Sequence, residues 1–94
     1  MALTSPVSQE VSDELRRVVR RWQQLPLDRA RSCLPTVRAV LDELAPLGGA
    51  SSTVPDLGPG VIMDQLTVLV YDACAAGAGS PVGERLSALR ASLP

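Results

Sequence analysis

The stretch VIMDQLTVLVYDACAAG, Val61 to Gly77, is the most apolar part of the chain and decides which fold to expect. Its longest uncharged run, from Gln65 to Tyr71, contains seven residues. A helix that crosses a membrane needs about 20 predominantly apolar residues. The stretch is therefore predicted to be a helix of a small domain and not a membrane span.

On a helical wheel, this stretch has two apolar surfaces of unequal width. The wide inner face contains Ile62, Leu66, Leu69, Val70 and Ala73, whereas Asp64, Tyr71 and Asp72 lie on the other side. Between these polar residues, Val61, Val68 and Ala75 form a second apolar line, which we call the outer strip. A helix that is apolar on most of its circumference lies at the centre of a bundle or against a partner.

The outer strip has two interpretations. If the inner face packs on the core of the domain, the strip can form the centre of an interface with another molecule. Alternatively, a neighbouring helix of the same chain covers it. Under the first interpretation, the interface residues are Val61, Asp64, Val68, Tyr71 and Asp72.

Both ends of the chain also show helical spacing. In the first segment, one stripe contains Val7, Val11, Leu15, Val18, Trp22 and Leu25, which predicts an amphipathic helix. Its start is predicted at Ser5 as N-cap and Pro6 as first helical residue, and Pro26 ends it. The last segment repeats this start at Ser80 and Pro81, and its apolar residues are Val82, Leu86, Leu89 and Leu93. Gly77 and Gly79 are expected to end the third helix.

A second helix is predicted from about Leu27 to Ala45. Its apolar face contains Ala30, Cys33, Leu34, Val37, Val40, Leu41 and Leu44. Pro35 falls on the opposite, solvent side, where a kink is tolerated because a curved helix is convex there. Two shorter helices are the alternative. Residues 46–59 are rich in Gly, Pro and Ser and lack the GK[ST] ending of a phosphate-binding loop, so we expect a mobile loop.

These segments predict an all-α protein, a small four-helix bundle with a kinked second helix and a long loop before the third. Residues 1–94 are expected to form a single domain, with a flexible N-terminus over residues 1–5. A chain of this length buries about 60 to 65% of its unfolded surface. That is enough for one core and too little for two.

The composition argues against several kinds of chemistry. The chain has no histidine, which removes the commonest general base and the commonest transition-metal ligand. Cys33 and Cys74 show no metal-ligand spacing and are expected to be buried thiols, although a disulfide between them remains an alternative. Asp64 and Asp72 lie about 12 Å apart along a helix, beyond the separation of about 9.5 Å in glycosidase pairs. We therefore expect no catalytic residues, no metal and no cofactor.

The charge balance and the N-terminal sequence bear on origin and location. All 9 basic residues are arginine, and with 10 acidic residues the formal net charge is −1. The absence of lysine, with abundant Ala, Leu, Val, Gly and Pro, indicates a GC-rich and bacterial genome. The N-terminal sequence has neither the basic region nor the continuous apolar region of a secretory signal. We therefore expect a cytoplasmic protein.

Four arginines, Arg16, Arg17, Arg20 and Arg21, lie on the outer face of the first helix and could neutralise phosphates of a nucleic acid. Acidic residues precede them, however, and Trp22 falls on the apolar stripe, where it cannot stack on bases. Basic residues near a helix C-terminus also interact favourably with the helix dipole. A solvated helix face is the better interpretation, and nucleic-acid binding is the weaker alternative.

Three functional hypotheses remain. The leading one is a non-enzymatic interaction or regulatory module that binds itself, as a homodimer, or another protein through helix surfaces. The second is a small-molecule-binding protein or enzyme accessory subunit, with a pocket beside Tyr71 and the loop that contains Asp56. The third is DNA binding through the face from Arg16 to Arg21.

Overall fold

The computed structural model describes residues 5–94, which form four α-helices and no strand. The helices are α1 (Gln9–Gln23), α2 (Leu27–Leu47), α3 (Ile62–Ala75) and α4 (Gly79–Ser92). The predicted all-α four-helix bundle is confirmed. Of the predicted flexible N-terminus, residues 1–4 lie outside the described part of the chain.

The start of α1 differs from its prediction by three residues, Gln9 instead of Pro6. Ser8 is the N-cap, and its Oγ accepts a hydrogen bond from the Val11 N–H at 3.2 Å. Ser5 Oγ accepts from the Val7 N–H at 3.1 Å, in the turn before the helix. The predicted start at Ser5 and Pro6 is therefore wrong, because two serines in this segment can each cap a backbone N–H and their spacing alone does not select one.

The α2 helix runs without interruption through Pro35 and Pro46. The alternative of two shorter helices is therefore wrong, and the helix ends at Leu47 instead of Ala45. Pro35 is exposed, as predicted. A proline on this side removes one backbone hydrogen bond where water can replace it, and the kink there stays a prediction.

The helices α2 and α3 end in the same motif. Gly49 and Gly77 follow the helix ends with φ of 89° and 88°, a conformation that glycine adopts without steric cost. After α2, the Ala50 N–H donates to the Ala45 carbonyl at 3.0 Å; after α3, the Ala78 N–H donates to the Ala73 carbonyl at 2.9 Å. These are Schellman turns, and the role predicted for Gly77 is confirmed. The same prediction for Gly79 is wrong, because Gly79 is the first residue of α4.

The α4 helix begins at Gly79, directly after the turn that ends α3. Its N-cap is Ala78, whose carbonyl accepts from the Val82 N–H at 3.1 Å and whose side chain cannot cap. The predicted cap at Ser80 is therefore wrong. Ala78 closes the turn of α3 and also opens α4, so Ser80 and Pro81 already lie in the first turn of α4. Proline is tolerated there because the backbone N–H that it lacks would have no acceptor within the helix.

One apolar core joins all four helices. Its buried residues come from the faces that the periodicity predicts: Val11, Val18 and Trp22 in α1; Ala30, Val37, Val40, Leu41 and Leu44 in α2; Ile62, Leu66, Val70, Ala73 and Cys74 in α3; and Val82, Leu86 and Leu89 in α4. Leu93 follows α4 and is also buried. The inner face predicted for α3 is thus the face that packs on this core, with Leu69 partly buried beside it.

The helices form two parallel pairs. Glu14 of α1 contacts Arg90 of α4. Later in α1, Arg21 donates to a main-chain oxygen of Pro94, which follows α4, at 3.5 Å. The two helices therefore run in the same direction. The backbone at Gly48, the end of α2, lies against Asp72 near the end of α3. The helices α2 and α3 are therefore also parallel, and the 14 residues between Leu47 and Ile62 return along α2.

The contact at Gly48 generates a stability prediction. A Cβ at this position would lie 2.8 Å from Asp72 Cβ and 3.2 Å from the Ala73 backbone nitrogen. We expect Gly48→Ala to lower the free energy of unfolding by about 1–3 kcal/mol, because the two helices must separate to admit a methyl group. Urea denaturation of the variant and of the parent chain measures this difference.

Gly60→Ala is the matched control, because a Cβ at Gly60 meets no atom within 4 Å. The unfolding free energy of this variant should change by less than about 0.5 kcal/mol, the range for surface substitutions without a special contact. Equal stability of the Gly48 and Gly60 variants would contradict the proposed close approach of α2 and α3.

Candidate functional site

The outer strip of α3 is not covered by any described helix. Val61, Val68 and Tyr71 are 37%, 59% and 52% exposed, and Asp64 and Asp72 are also exposed. The alternative in which a helix of the same chain covers the strip is therefore wrong for residues 5–94. The five predicted interface residues share one exposed face of α3.

The loop between α2 and α3, residues 48–61, builds a groove beside this face. The groove has a volume of about 450 Å³, and its lining is mainly apolar. Its lining residues are Ala45, Ala50, Ser52, Thr53, Val54, Pro55, Leu57, Val61, Asp64, Gln65, Val68 and Leu69. The structure thus brings three predicted residues, Val61, Asp64 and Val68, into one concave surface, while Tyr71 and Asp72 lie outside it.

Leu57 is the main groove residue that the sequence analysis missed. It is 62% exposed, the highest value among the large hydrophobic residues of the described chain. The available signal was its position as an apolar residue within a polar loop rich in Gly, Pro and Ser. That signal carries no information about which helix the loop lies against, so only the fold places Leu57 opposite α3.

Arg38 of α2 anchors the loop. Its guanidinium donates to the Val54 carbonyl at 3.0 Å and to the Pro55 carbonyl at 3.4 Å, and it lies 3.7 Å from the Asp56 carboxylate. From α3, Gln65 Nε2 donates to the same Pro55 carbonyl at 2.9 Å. These bonds supply donors to loop carbonyl oxygens that accept no hydrogen bond within a helix. They restrain the middle of the loop, and mobility stays a prediction for the segment before Val54.

The groove floor contains one unsatisfied polar atom. Gln65 Oε1 is buried and accepts no hydrogen bond from the described residues. Nε2 of the same amide donates to the Pro55 carbonyl. A buried acceptor without a donor costs about 1–3 kcal/mol. This unsatisfied oxygen lies where Gln65 of α3 contacts the loop at Pro55.

A second hollow, of about 950 Å³, lies between the first halves of α1 and α4 and has a different character. Carboxylates of Glu10, Asp13 and Glu84 line it together with small residues such as Gly83 and Ser87. Across residues 5–94, no group of three or more His, Cys, Asp or Glu side chains is placed to hold a metal ion. This hollow is therefore more polar than the α3 groove and, within residues 5–94, has no ligand set for a metal.

Glu14, on α1, is the buried charged side chain of the described residues. It is 8% exposed, and its carboxylate accepts from Arg90 of α4 and from Arg17 Nη1 at 3.2 Å. The Arg90 hydrogen bond is the main reason that its pKa lies below the ordinary value, against the opposing effect of burial. The spacing of Val11, Glu14 and Val18 could have indicated a position at the edge of the core, but Arg90 is too distant in sequence to predict.

The remaining candidate residues show no grouping for catalysis. Both cysteines are free thiols, with Cys33 partly exposed and Cys74 buried, and burial raises the pKa of Cys74. A buried thiol with a raised pKa is a poor nucleophile. Arg16, Arg17, Arg20 and Arg21 are exposed along α1 as predicted, whereas Trp22 is in the core.

Comparisons of this chain with protein-family models, with curated proteins and with solved structures find no match. No helix within residues 5–94 has both the length and the apolar character required to cross a bilayer. The chemistry of the exposed surfaces therefore carries the functional argument.

The Glu14 contacts predict a pH dependence. A lowered pKa in the folded state means that the carboxylate stabilises the fold above its unfolded pKa, and that this contribution is lost as the pH falls through the folded value. At pH 7, Glu14→Gln should lower the unfolding free energy by about 1–2 kcal/mol, a value discounted for the partial exposure of both arginines.

The measurement is urea denaturation from pH 7 down to pH 3. The difference between the parent chain and Glu14→Gln should shrink below about pH 4.5, where the unfolded carboxylate becomes protonated. Glu10→Gln is the control, because Glu10 is exposed and makes no ion pair within the described residues. A pH-independent difference would contradict the role assigned to the Glu14 charge.

Proposed function

We propose that this chain is a non-enzymatic interaction module that binds another protein through the outer face of α3 and the adjoining groove. The observation that carries the proposal is the clustering of exposed apolar side chains. Within residues 5–94, five large hydrophobic residues are exposed, and four of them, Leu57, Val61, Val68 and Tyr71, lie on this face. Exposed apolar patches with a polar rim are typical of protein interaction sites.

The loop makes the groove suitable for a partner side chain. Because Arg38 and Gln65 hold the loop backbone at Val54 and Pro55, the groove exists before binding. A preformed surface loses less conformational entropy on association than a surface that must become ordered. A small apolar side chain or a helix edge can enter beside Val68.

The charges on this face bear on the homodimer alternative. In an antiparallel pair of α3 helices related by a two-fold axis at Val68, Val61 faces Ala75 of the second copy. The same register places Asp64 opposite Asp72, and like charges this close oppose association. The apolar spacing therefore favours self-pairing, while the carboxylates favour a partner that supplies basic residues.

A small apolar molecule is the second candidate for the groove. The volume of about 450 Å³ falls in the range of about 300–1,000 Å³ that is usual for small-molecule sites. Most of the lining is apolar, and Asp64 and Gln65 supply a few polar atoms. The pocket is predicted beside Tyr71 and the loop that contains Asp56; residues of that loop line this groove, whereas Tyr71 and Asp56 themselves do not.

The proposed cellular setting is a bacterial cytoplasm, and the bacterial origin rests on the lysine-free composition. The two free thiols are compatible with a reducing compartment. Fractionation of the native cells, followed by immunodetection of the chain, tests the location directly.

Val68→Asp tests the interaction surface. A carboxylate in the centre of the face should weaken partner binding at least about tenfold, because a buried valine contributes about 1.5 kcal/mol or more and the new charge must be desolvated. Affinity capture from an extract of the native cells, with quantification of each retained protein, measures the loss.

Ala88→Asp is the matched control, since Ala88 is exposed on α4 and lies outside the groove. It should retain the protein that the parent chain captures and that Val68→Asp loses. Equal capture by both variants would argue against the α3 face, provided that circular dichroism shows the same helical content.

The double variant Asp64→Asn and Asp72→Asn distinguishes self-association of this chain from binding to another protein. If the carboxylates prevent self-pairing, the parent chain should be monomeric by light scattering in a reducing buffer, and the double variant should dimerise at high concentration. A stable dimer of the parent chain would contradict the proposed repulsion and favour the homodimer.

A further inference from the structure

A small basic hollow lies at the C-terminal end of α1, away from the α3 groove. It has a volume of about 240 Å³ and is lined by Arg17, Arg20 and Arg21 of α1, the C-cap residue Gln24, and Arg90 of α4. Arg20 and Arg21 follow Arg17 at spacings of three and four, and Gln24 follows them at spacings of four and three, which places these side chains on one side of the helix end. Arg90 reaches the same hollow from the neighbouring helix, so four guanidinium groups surround one space.

Two of these arginines are held in place by a buried anion. The Glu14 carboxylate accepts hydrogen bonds from Arg17 and Arg90, and its own side chain is only 10% exposed. An arginine that is fixed on one edge can present its remaining N–H groups in a defined direction. Glu14 thus orients the guanidinium groups of Arg17 and Arg90, which line the hollow.

The other two arginines have no acidic side chain as an ion-pair partner in the described chain. Arg20 and Arg21 make no ion pair with any acidic side chain in residues 5–94, and Arg21 donates only to the Pro94 carbonyl at 3.5 Å. Four guanidinium charges therefore face one carboxylate. The negative end of the α1 dipole offsets part of this excess, but it does not supply oxygen atoms within the hollow.

The chemistry of the lining selects the ligand class. Every side chain that lines the hollow has N–H donors, and the guanidinium geometry matches two oxygens of a phosphate group. We propose that the hollow binds a small oligophosphate anion, held by Arg20 and Arg21 and by the outward edges of Arg17 and Arg90.

The size and the surroundings of the hollow distinguish this ligand from a nucleic acid. A duplex contacts a protein over a wide surface of about 600 Å² or more, whereas this hollow admits a few phosphate groups. Trp22, the one aromatic side chain nearby in sequence, is 7% exposed and packs in the core, so it cannot stack on a base.

The experiment is calorimetric titration of the full chain with sodium tripolyphosphate at low ionic strength, without divalent cations. The double variant Arg20→Gln and Arg21→Gln should bind at least about tenfold more weakly, because each arginine contributes charge-assisted hydrogen bonds. A parent chain that does not bind tripolyphosphate would overturn the proposal.

Arg29→Gln with Arg31→Gln is the matched control. Both residues are exposed on α2, outside the hollow, and make no ion pair in the described structure. The two double variants have the same net charge, so the control should retain the parent affinity. An equal loss of affinity in both would show general charge attraction and would overturn a defined site.

Two further titrations complete the test. A short DNA duplex should bind more weakly than tripolyphosphate under the same conditions, and tighter duplex binding would overturn the small-anion proposal. Val68→Asp should leave tripolyphosphate binding unchanged, which makes failure of this site distinguishable from failure of the α3 surface. Circular dichroism confirms the fold of each variant; if the Arg20 and Arg21 double variant is unfolded, Arg20→Gln alone replaces it.

Discussion

The parallel arrangement of α2 and α3 is the constraint on which the exposed face depends. A helix of 21 residues is about 31 Å long, and the chain must return along most of that length before α3 can begin. The 14 connecting residues can span about 46 Å when extended. The loop is therefore long enough to cross the side of the bundle, and its backbone needs hydrogen-bond partners on the way.

Arg38 and Gln65 supply these partners from the two helices that the loop crosses. The loop is consequently held beside α3 without covering it. This arrangement explains why a helix with two apolar surfaces buries only one of them. The inner face completes the core, while Val61 and Val68 remain at the edge of a groove whose other wall is the loop.

The second helix pair, α1 and α4, is linked by hydrogen bonds to a carboxylate. The carboxylate of Glu14 lies at the boundary of the core and bonds an arginine from each helix of the pair. This placement compensates a carboxylate that would be costly to bury alone. It also draws Arg90 towards the arginines of α1, so one contact stabilises the pair and creates the basic hollow. The two candidate surfaces therefore originate from the two helix pairs and can be tested independently.

The sequence by itself determined the four helices, their buried faces and the exposure of Pro35, because helical periodicity and the glycine turns are local properties. It also indicated the exposed apolar residues Val61 and Val68, since their spacing separates a second apolar line from the core face. Tertiary structure alone decided that Leu57 faces α3 and that Arg90 meets Glu14. These contacts depend on the packing and direction of helices distant in sequence, which periodicity within one helix does not specify.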